Sequence, residues 1–316
     1  MQLARALATR LFFGVISLLF ISLVTFVADE MQPGDRATVE AGEKATPETV
    51  ARIRENLGLN RPWPVRYVEF MGKAAQLDFG KSYHGVKEPV KDIIQRNLSM
   101  TLTISTAAIV LASAVGIFLG TVAAIWQNRP PDRTVLILST FGVTVPNFVL
   151  APVLAYIFAL QLDYLPLTWS VTRVAPDFMY LILPVVVLAM RPTALLTRLT
   201  RASMVETLQQ EFIRTATAKG VPPFRLYIRH ALRNAILPVI TAIGTSYGFL
   251  LTGSFVVETF FLLPGLGSTT IDAIRKGDMP VIQACVLLTG ALFIALNLLV
   301  DLALPILDPR IRESQV

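Results

Sequence analysis

The sequence predicts an all-α polytopic membrane protein with six transmembrane helices, and three observations support this fold class. Hydrophobic residues make up 53% of the 316-residue chain and charged residues only 16%, and the mean hydropathy is +0.59. Such values lie outside the range of ordinary soluble domains. Six apolar stretches are long enough to cross a hydrocarbon core of about 30 Å, which takes about 20 helical residues. Glycine and proline recur in these stretches, as is common in membrane helices that pack closely or bend.

The spans divide the chain into three predicted domains. Residues 1–28 hold the N-terminal tail and first helix, residues 29–96 form an external loop, and residues 97–316 form a core with the other five helices. A basic loop over about 198–233 belongs to this core. The predicted spans are Leu11 to Ala28, a helix within Asn97 to Asn128, Thr134 to Leu162, Phe178 to Thr197, Asn234 to Val257 and Met279 to Val300.

Basic residues predict the orientation, because Lys and Arg in short loops mark the cytoplasmic side. Arg5 and Arg10 precede the first span, Arg129 and Arg133 separate the second from the third, and eight Lys and Arg residues lie between 191 and 233. All these segments fall on one side of a six-span chain. Both termini are therefore predicted to be cytoplasmic, and residues 29–96 external.

The external loop is predicted to form a small helical cap. Thr46-Pro47-Glu48 is typical of a helix start, and Gly58 is typical of a stop. Pro62 and Pro64 predict an extended segment after it, with Trp63, Tyr67 and Phe70 at the lipid headgroups. Two roles stay open for the cap: a packed lid without ligand contacts, or a docking site for an external receptor.

The residues needed for catalysis are not brought together by this topology. His84 and His230 fall on opposite sides of the membrane, and so do Glu258 and Asp301. Gly80-Lys81-Ser82 lacks the earlier glycine of a phosphate-binding loop, because position 75 is alanine. We therefore expect no catalytic residue, metal site or cofactor in this chain, and no nucleic-acid partner. Any ATP chemistry is expected from a partner protein.

The basic loop predicts a docking surface. Arg198 to Gln210 continues the fourth helix, and a short helix with small side chains follows it until Gly220, Pro222 and Pro223 end it. Small side chains allow a partner to approach closely. A basic juxtamembrane helix attracted to anionic lipid is the alternative.

Several motifs carry a resemblance to a known family. The loop contains Arg214-Thr215-Ala216 and Ala218-Lys219-Gly220; the others are Pro33-Gly34-Asp35, Leu57-Gly58-Leu59 with Arg61-Pro62, Asp78-Phe79-Gly80 with Ser82, His230 to Ala235, Pro264 to Gly267, Pro280 to Gln283 and Asp308 to Arg312. With these motifs the chain resembles the type I permeases of binding-protein-dependent ABC importers, most closely the dipeptide, oligopeptide, glutathione and nickel subfamily. In that family the loop carries a coupling helix that sits in a groove of an ATPase.

The resemblance implies a permease subunit that converts the motion of partner ATPases into alternating access for peptides or related small solutes. Its partners would be a second homologous permease, two ABC ATPases that bind ATP and Mg, an extracytoplasmic solute-binding protein and the lipid of a prokaryotic inner membrane. A polytopic scaffold or channel without ATP coupling is the alternative. The residues implied in coupling are Arg214, Thr215, Ala216, Ala218, Lys219, Gly220, Val221 and Pro222.

A second set of residues is predicted to line the solute pathway or its gates. Glu258 is expected to lie in water at the membrane boundary, or to pair across an external gate. Arg191 departs from the family pattern, and three roles stay open for it: pairing with Asp301, contact with an anionic group of the solute, or extension to the membrane surface. The whole set is Pro146, Asn147, Pro184, Arg191, Glu258, Pro264, Gly265 and Gly267.

Overall fold

The protein is mainly helical in the part that the computed structural model describes, which comprises residues 2–31, 36–41, 45–56, 58–84, 86–170 and 176–307. The motifs Pro33-Gly34-Asp35 and Asp308 to Arg312, and Leu57, lie outside the described residues. The helices are α1 Gln2–Glu30, α2 Arg36–Ala41, α3 Pro47–Asn56, α4 Trp63–Ala74, α5 Val90–Ile125, α6 Pro130–Thr144, α7 Asn147–Ala155, α8 Asp177–Leu208, α9 Glu211–Ala218, α10 Pro223–Arg225, α11 Arg233–Gly253, α12 Phe255–Phe260, α13 Leu266–Lys276 and α14 Met279–Leu307. Two wider π-helical segments, Tyr156–Gln161 and Leu226–Leu232, continue α7 and lead into α11.

Five of the six predicted spans are single helices that are long and apolar enough to cross a membrane. These five are Ala8–Glu30, Val90–Ile125, Asp177–Leu208, Pro223–Gly253 and Met279–Leu302. The prediction of one helix over Thr134 to Leu162 is wrong. The third span is a pair of helices, α6 and α7, that meet at an angle of 105°.

Pro146 is the reason for this break. It has no N–H to continue the hydrogen-bond ladder, and its ring disfavours a helical conformation at the residue before it. Val145 is accordingly extended, with ψ 118°. Pro184, by contrast, does not break its helix: it is buried within α8, which continues past it to Leu208.

The core consists of α5, α8 and α11, with side chains such as Ile104, Val187 and Val239 fully buried between them. Glycine lets α5 and α8 approach closely. A Cβ atom added at Gly120 would lie 2.6 Å from the carbonyl oxygen of Thr197. Helix α14 packs on α11, and α1 lies outermost, against α14.

The loops gather at two ends of the bundle, as six crossings require. At one end, which we call the outer end, Ser82 donates a hydrogen bond to Asp278, and the Trp169 N–H donates to the Phe261 carbonyl at 2.9 Å. The opposite end, the inner end, holds α9, α10 and the loop between α5 and α6. That the inner end is cytoplasmic remains a prediction.

The cap at the outer end packs on α1. Tyr67 and Phe70 of α4 surround Phe26, and the Tyr67 hydroxyl lies 2.7 Å from Ser22 Oγ. Gly58 adopts the left-handed conformation expected of a helix stop, with φ +65°. The prediction of an extended segment is confirmed at Pro62, which has φ −55° and ψ 140°, but is wrong at Pro64, which lies in the first turn of α4, where a missing N–H does no harm.

Candidate functional sites

The basic loop at the inner end carries a short exposed helix. Helix α8 ends at Leu208, and α9 follows it and ends at Ala218. Gly220 adopts φ +76° in open space, and the Val221 N–H returns to the Ala216 carbonyl at 3.2 Å. This is the glycine-terminated helix that the sequence predicts.

Helix α9 has one side packed on the bundle and one side in the open. Ile213 is 4% exposed, and Ala216 and Val221 pack beside it against a cluster that includes Met204 and Leu226. Most of the predicted coupling residues, by contrast, are exposed: Arg214, Thr215, Ala218, Lys219, Gly220 and Pro222. We call Phe212, Arg214, Thr215, Ala218 and Lys219 the α9 surface.

Two exposed aromatic residues of this region were missed by the sequence analysis. Phe212 is 42% exposed on the α9 surface, and Phe224 is 76% exposed on α10. Large apolar side chains in the open are typical of contact sites. Their signal in the sequence is an aromatic residue inside a polar, basic segment.

The base of the loop is held by an ion pair whose carboxylate is buried. Arg201 of α8 donates to Asp132 at the start of α6, with 2.7 Å between Nη2 and Oδ2. Asp132 is 1% exposed and also accepts the Asn128 N–H at 2.8 Å. These bonds hold the inner part of α8 against the start of α6. The segment that carries the α9 surface therefore begins from a fixed point of the bundle.

A buried carboxylate lies at the outer end. Glu258 is 0% exposed, and its Oε1 accepts hydrogen bonds from Thr101 at 2.8 Å and Ser254 at 2.6 Å, while its Oε2 accepts the Ser268 N–H at 3.0 Å. The expectation that Glu258 lies in water is wrong. Pairing across an external gate stays a prediction; in the described part of the chain, hydroxyl and amide groups hold the carboxylate. Glu258 is buried because of tertiary packing: α5 and α13 cover a residue that lies at the end of an apolar run in the sequence.

The turn Pro264 to Gly267 forms the lid of this carboxylate. Gly265 precedes α13, whose Leu266 N–H donates to Thr101 Oγ1 at 2.8 Å. A Cβ atom at Gly267 would lie 2.5 Å from the Cα atom of Phe255 and 2.8 Å from Glu258 Oε2. The tight turn is therefore present, and glycine is needed because the chain passes directly over Glu258.

The remaining pathway candidates are scattered. Pro146 is exposed at the break of the third span, Asn147 is half-buried, and Arg191 is exposed on α8. Pairing of Arg191 with Asp301 is wrong, because Asp301 forms its ion pair with Arg10. The physical reason is that α1 lies against α14 and brings its own basic residue there.

The fold and the inner loop together define a polytopic membrane protein of the transport-permease class. Residues 116–313 match the family described as binding-protein-dependent transport system inner membrane component, and residues 3–105 match the N-terminal part of such membrane components. The chain belongs to this family. It is accordingly a multi-pass protein of the inner membrane.

Full-length relatives support the same assignment. The chain is 39% identical over 307 residues to a probable peptide ABC transporter permease of Sinorhizobium fredii, covering 96% of this chain and 97% of that protein. It is 38% identical over 300 residues to a glutathione transport permease of Escherichia coli, covering 95% and 96%. A dipeptide transport permease of Bacillus subtilis is 37% identical over 312 residues and covers 98% of both chains. The resemblance to the peptide and glutathione subfamily is thus confirmed.

A solved structure confirms the fold. The crystal structure of an amino acid ABC transporter with histidines has a TM-score of 0.51 at 17% identity, covering 69% of this chain and 94% of that one. At this identity the likeness concerns the fold alone.

Proposed function

We propose that this chain is one of two permease subunits of an ATP-driven importer for peptides or related small solutes. The observation that carries the proposal is the α9 surface. A short helix with exposed small and aromatic side chains, fixed to an ion-paired base, suits insertion into a groove of an ATPase subunit. The names of the relatives, which refer to peptide, dipeptide and glutathione transport, support the class of solute.

In this function two ATPases bind ATP and Mg, and their closure moves the coupling loops of the two permeases. The displacement reaches the bundle through α8 and α11, because α9 lies between these two helices in the chain and packs on their inner ends. The bundle then alternates between outward and inward openings, which is a shift between two conformations that the nucleotide favours unequally. An extracytoplasmic binding protein delivers the solute to the outer end.

Reconstitution of the complex tests this function. The chain is co-expressed with a candidate second permease and ATPases, purified, and placed in liposomes with its binding protein. We expect ATP hydrolysis that rises when peptide-loaded binding protein is added, together with uptake of the peptide. Peptide uptake without ATP would favour a channel, and a complex without either activity would favour a scaffold.

Sidedness gives a separate prediction. Val86 is 98% exposed at the outer end, and Lys219 is exposed at the inner end. In a Cys285→Ala background, Val86→Cys is expected to react with an impermeant thiol reagent added to intact cells, and Lys219→Cys only after permeabilisation. We expect this because Lys and Arg residues are concentrated in the loops at the inner end, which marks that end as cytoplasmic. Labelling of position 219 but not 86 in intact cells would reverse the orientation.

A further inference from the structure

The inner half of α8 presents a strip of exposed residues with two arginines. Arg191, Leu195 and Arg198 are each about one turn apart, and all are exposed. The side chains between them are buried: Ala194 is 4% exposed and Leu196 0%. The arginines therefore lie on a narrow open strip of a helix that is otherwise packed.

The outer half of α8 exposes the opposite side. Phe178 is 61% exposed and Ile182 36%. The nine positions from Ile182 to Arg191 correspond to about two and a half turns of helix, so the two strips point in opposite directions. The apolar outer strip suits lipid or an apolar neighbour. The arginine strip faces a different environment.

The position of Arg191 along α8 indicates which environment this is. Arg191 lies 14 positions after Asp177, about 21 Å along the helix, and with Asp177 at the outer boundary of the membrane this is within a hydrocarbon core of about 30 Å. A guanidinium at that depth is unfavourable unless it faces water or an anion. In the described part of the chain Arg191 forms no hydrogen bond or ion pair, and the carboxylates of Asp132 and Asp301 form ion pairs with Arg201 and Arg10.

We infer that the arginine strip lines the aqueous passage and that Arg191 binds a carboxylate group of the passing solute. The inference rests on the proposed import function and adds a solute class to it: small anionic molecules, including peptides with a free terminal carboxylate. A guanidinium offers two parallel N–H donors that match the two oxygens of a carboxylate. Arg198, two turns closer to the inner end, continues the same polar strip.

Transport by the complete importer in liposomes tests this inference. The probes are a peptide with a free terminal carboxylate and its terminal amide, each at a concentration that saturates the binding protein. The variants are Arg191→Gln and Arg191→Lys, and the control is Arg133→Gln, which removes another exposed arginine from the inner end of a span. Assembly is measured by size-exclusion chromatography.

Arg191→Gln is expected to lower transport of the acid by about tenfold, a factor that corresponds to about 1.4 kcal/mol. Transport of the amide should stay close to the wild-type rate, Arg191→Lys should retain part of the preference for the acid, and Arg133→Gln should retain all of it. Equal loss of both probes, or loss of assembly, would overturn the inference in favour of a structural role. Unchanged transport of both would overturn it in favour of an arginine that extends to the membrane surface. Failure of the import function itself is distinct, because the wild-type complex would then transport neither probe.

Discussion

Replacing Ala218 with arginine is expected to abolish solute-stimulated ATP hydrolysis while the chain still inserts and folds. Ala218 is the last residue of α9 and is exposed on the α9 surface. A long charged side chain there would prevent the helix from entering a groove shaped for a small residue. The chain itself should tolerate the change, because substitutions at exposed positions usually alter stability by less than about 0.5 kcal/mol.

The matched control is Ala75→Arg, which makes the same change at an exposed alanine of the outer end. The measurements are the ratio of ATPase to permease after purification and the rate of hydrolysis with loaded binding protein. Ala216 is a poorer position for this test, because it packs on the bundle beside Ile213. Wild-type stoichiometry and hydrolysis in the Ala218→Arg complex would contradict docking through the α9 surface.

Replacing Gly267 with alanine is expected to have the largest effect on stability. The added Cβ atom would meet the backbone of Phe255 at 2.5 Å and the Glu258 carboxylate at 2.8 Å, so the main chain must shift. Forced overpacking of this kind typically costs about 1–3 kcal/mol. The same shift would pull Ser268 from the carboxylate and leave a buried charge with fewer hydrogen bonds.

Gly253→Ala provides the control, since no atom lies within 4 Å of a Cβ atom at that position. Thermal unfolding in detergent, followed by fluorescence, compares the two variants. Glu258→Gln adds an independent measure: an amide nitrogen in the place of Oε2 would meet the Ser268 N–H, and one in the place of Oε1 would require the Thr101 and Ser254 hydroxyls to turn and accept. If Gly267→Ala unfolds at the same temperature as Gly253→Ala, the packing of this turn over Glu258 is not important for stability.

The features that the sequence predicted correctly are those encoded by neighbouring residues. An uncharged run of about 20 residues must cross the membrane, and Gly220 followed by prolines must end a helix. The five single-helix spans and the end of α9 at Gly220 follow from such local rules. That the segment around Arg214 to Gly220 docks on an ATPase stays a prediction, which comes from the family motifs.

The features that were missed depend on residues far apart in the chain. Glu258 is buried because Thr101 and Ser268 reach it from other helices, and no local pattern shows that. Asp301 pairs with Arg10 across almost the whole sequence. Which side of α9 is open could be predicted only in part, because Phe212 and Ile213 are adjacent apolar residues and packing separates them.

The break in the third span has a consequence for how the chain can exist in a bilayer. Helix α6 is about 22 Å long, and the chain then turns by 105° at Val145 and Pro146, before it has crossed the core. At the start of α7 the Val149 and Leu150 N–H groups donate to the Pro146 carbonyl, at 3.0 and 3.1 Å. The N–H groups of Asn147 and Phe148 therefore remain without a partner in that helix, and hydrocarbon cannot supply one. Pro146 is nevertheless exposed on the surface of this single chain. We therefore expect the chain to meet water or another protein at this point of its surface, and not lipid.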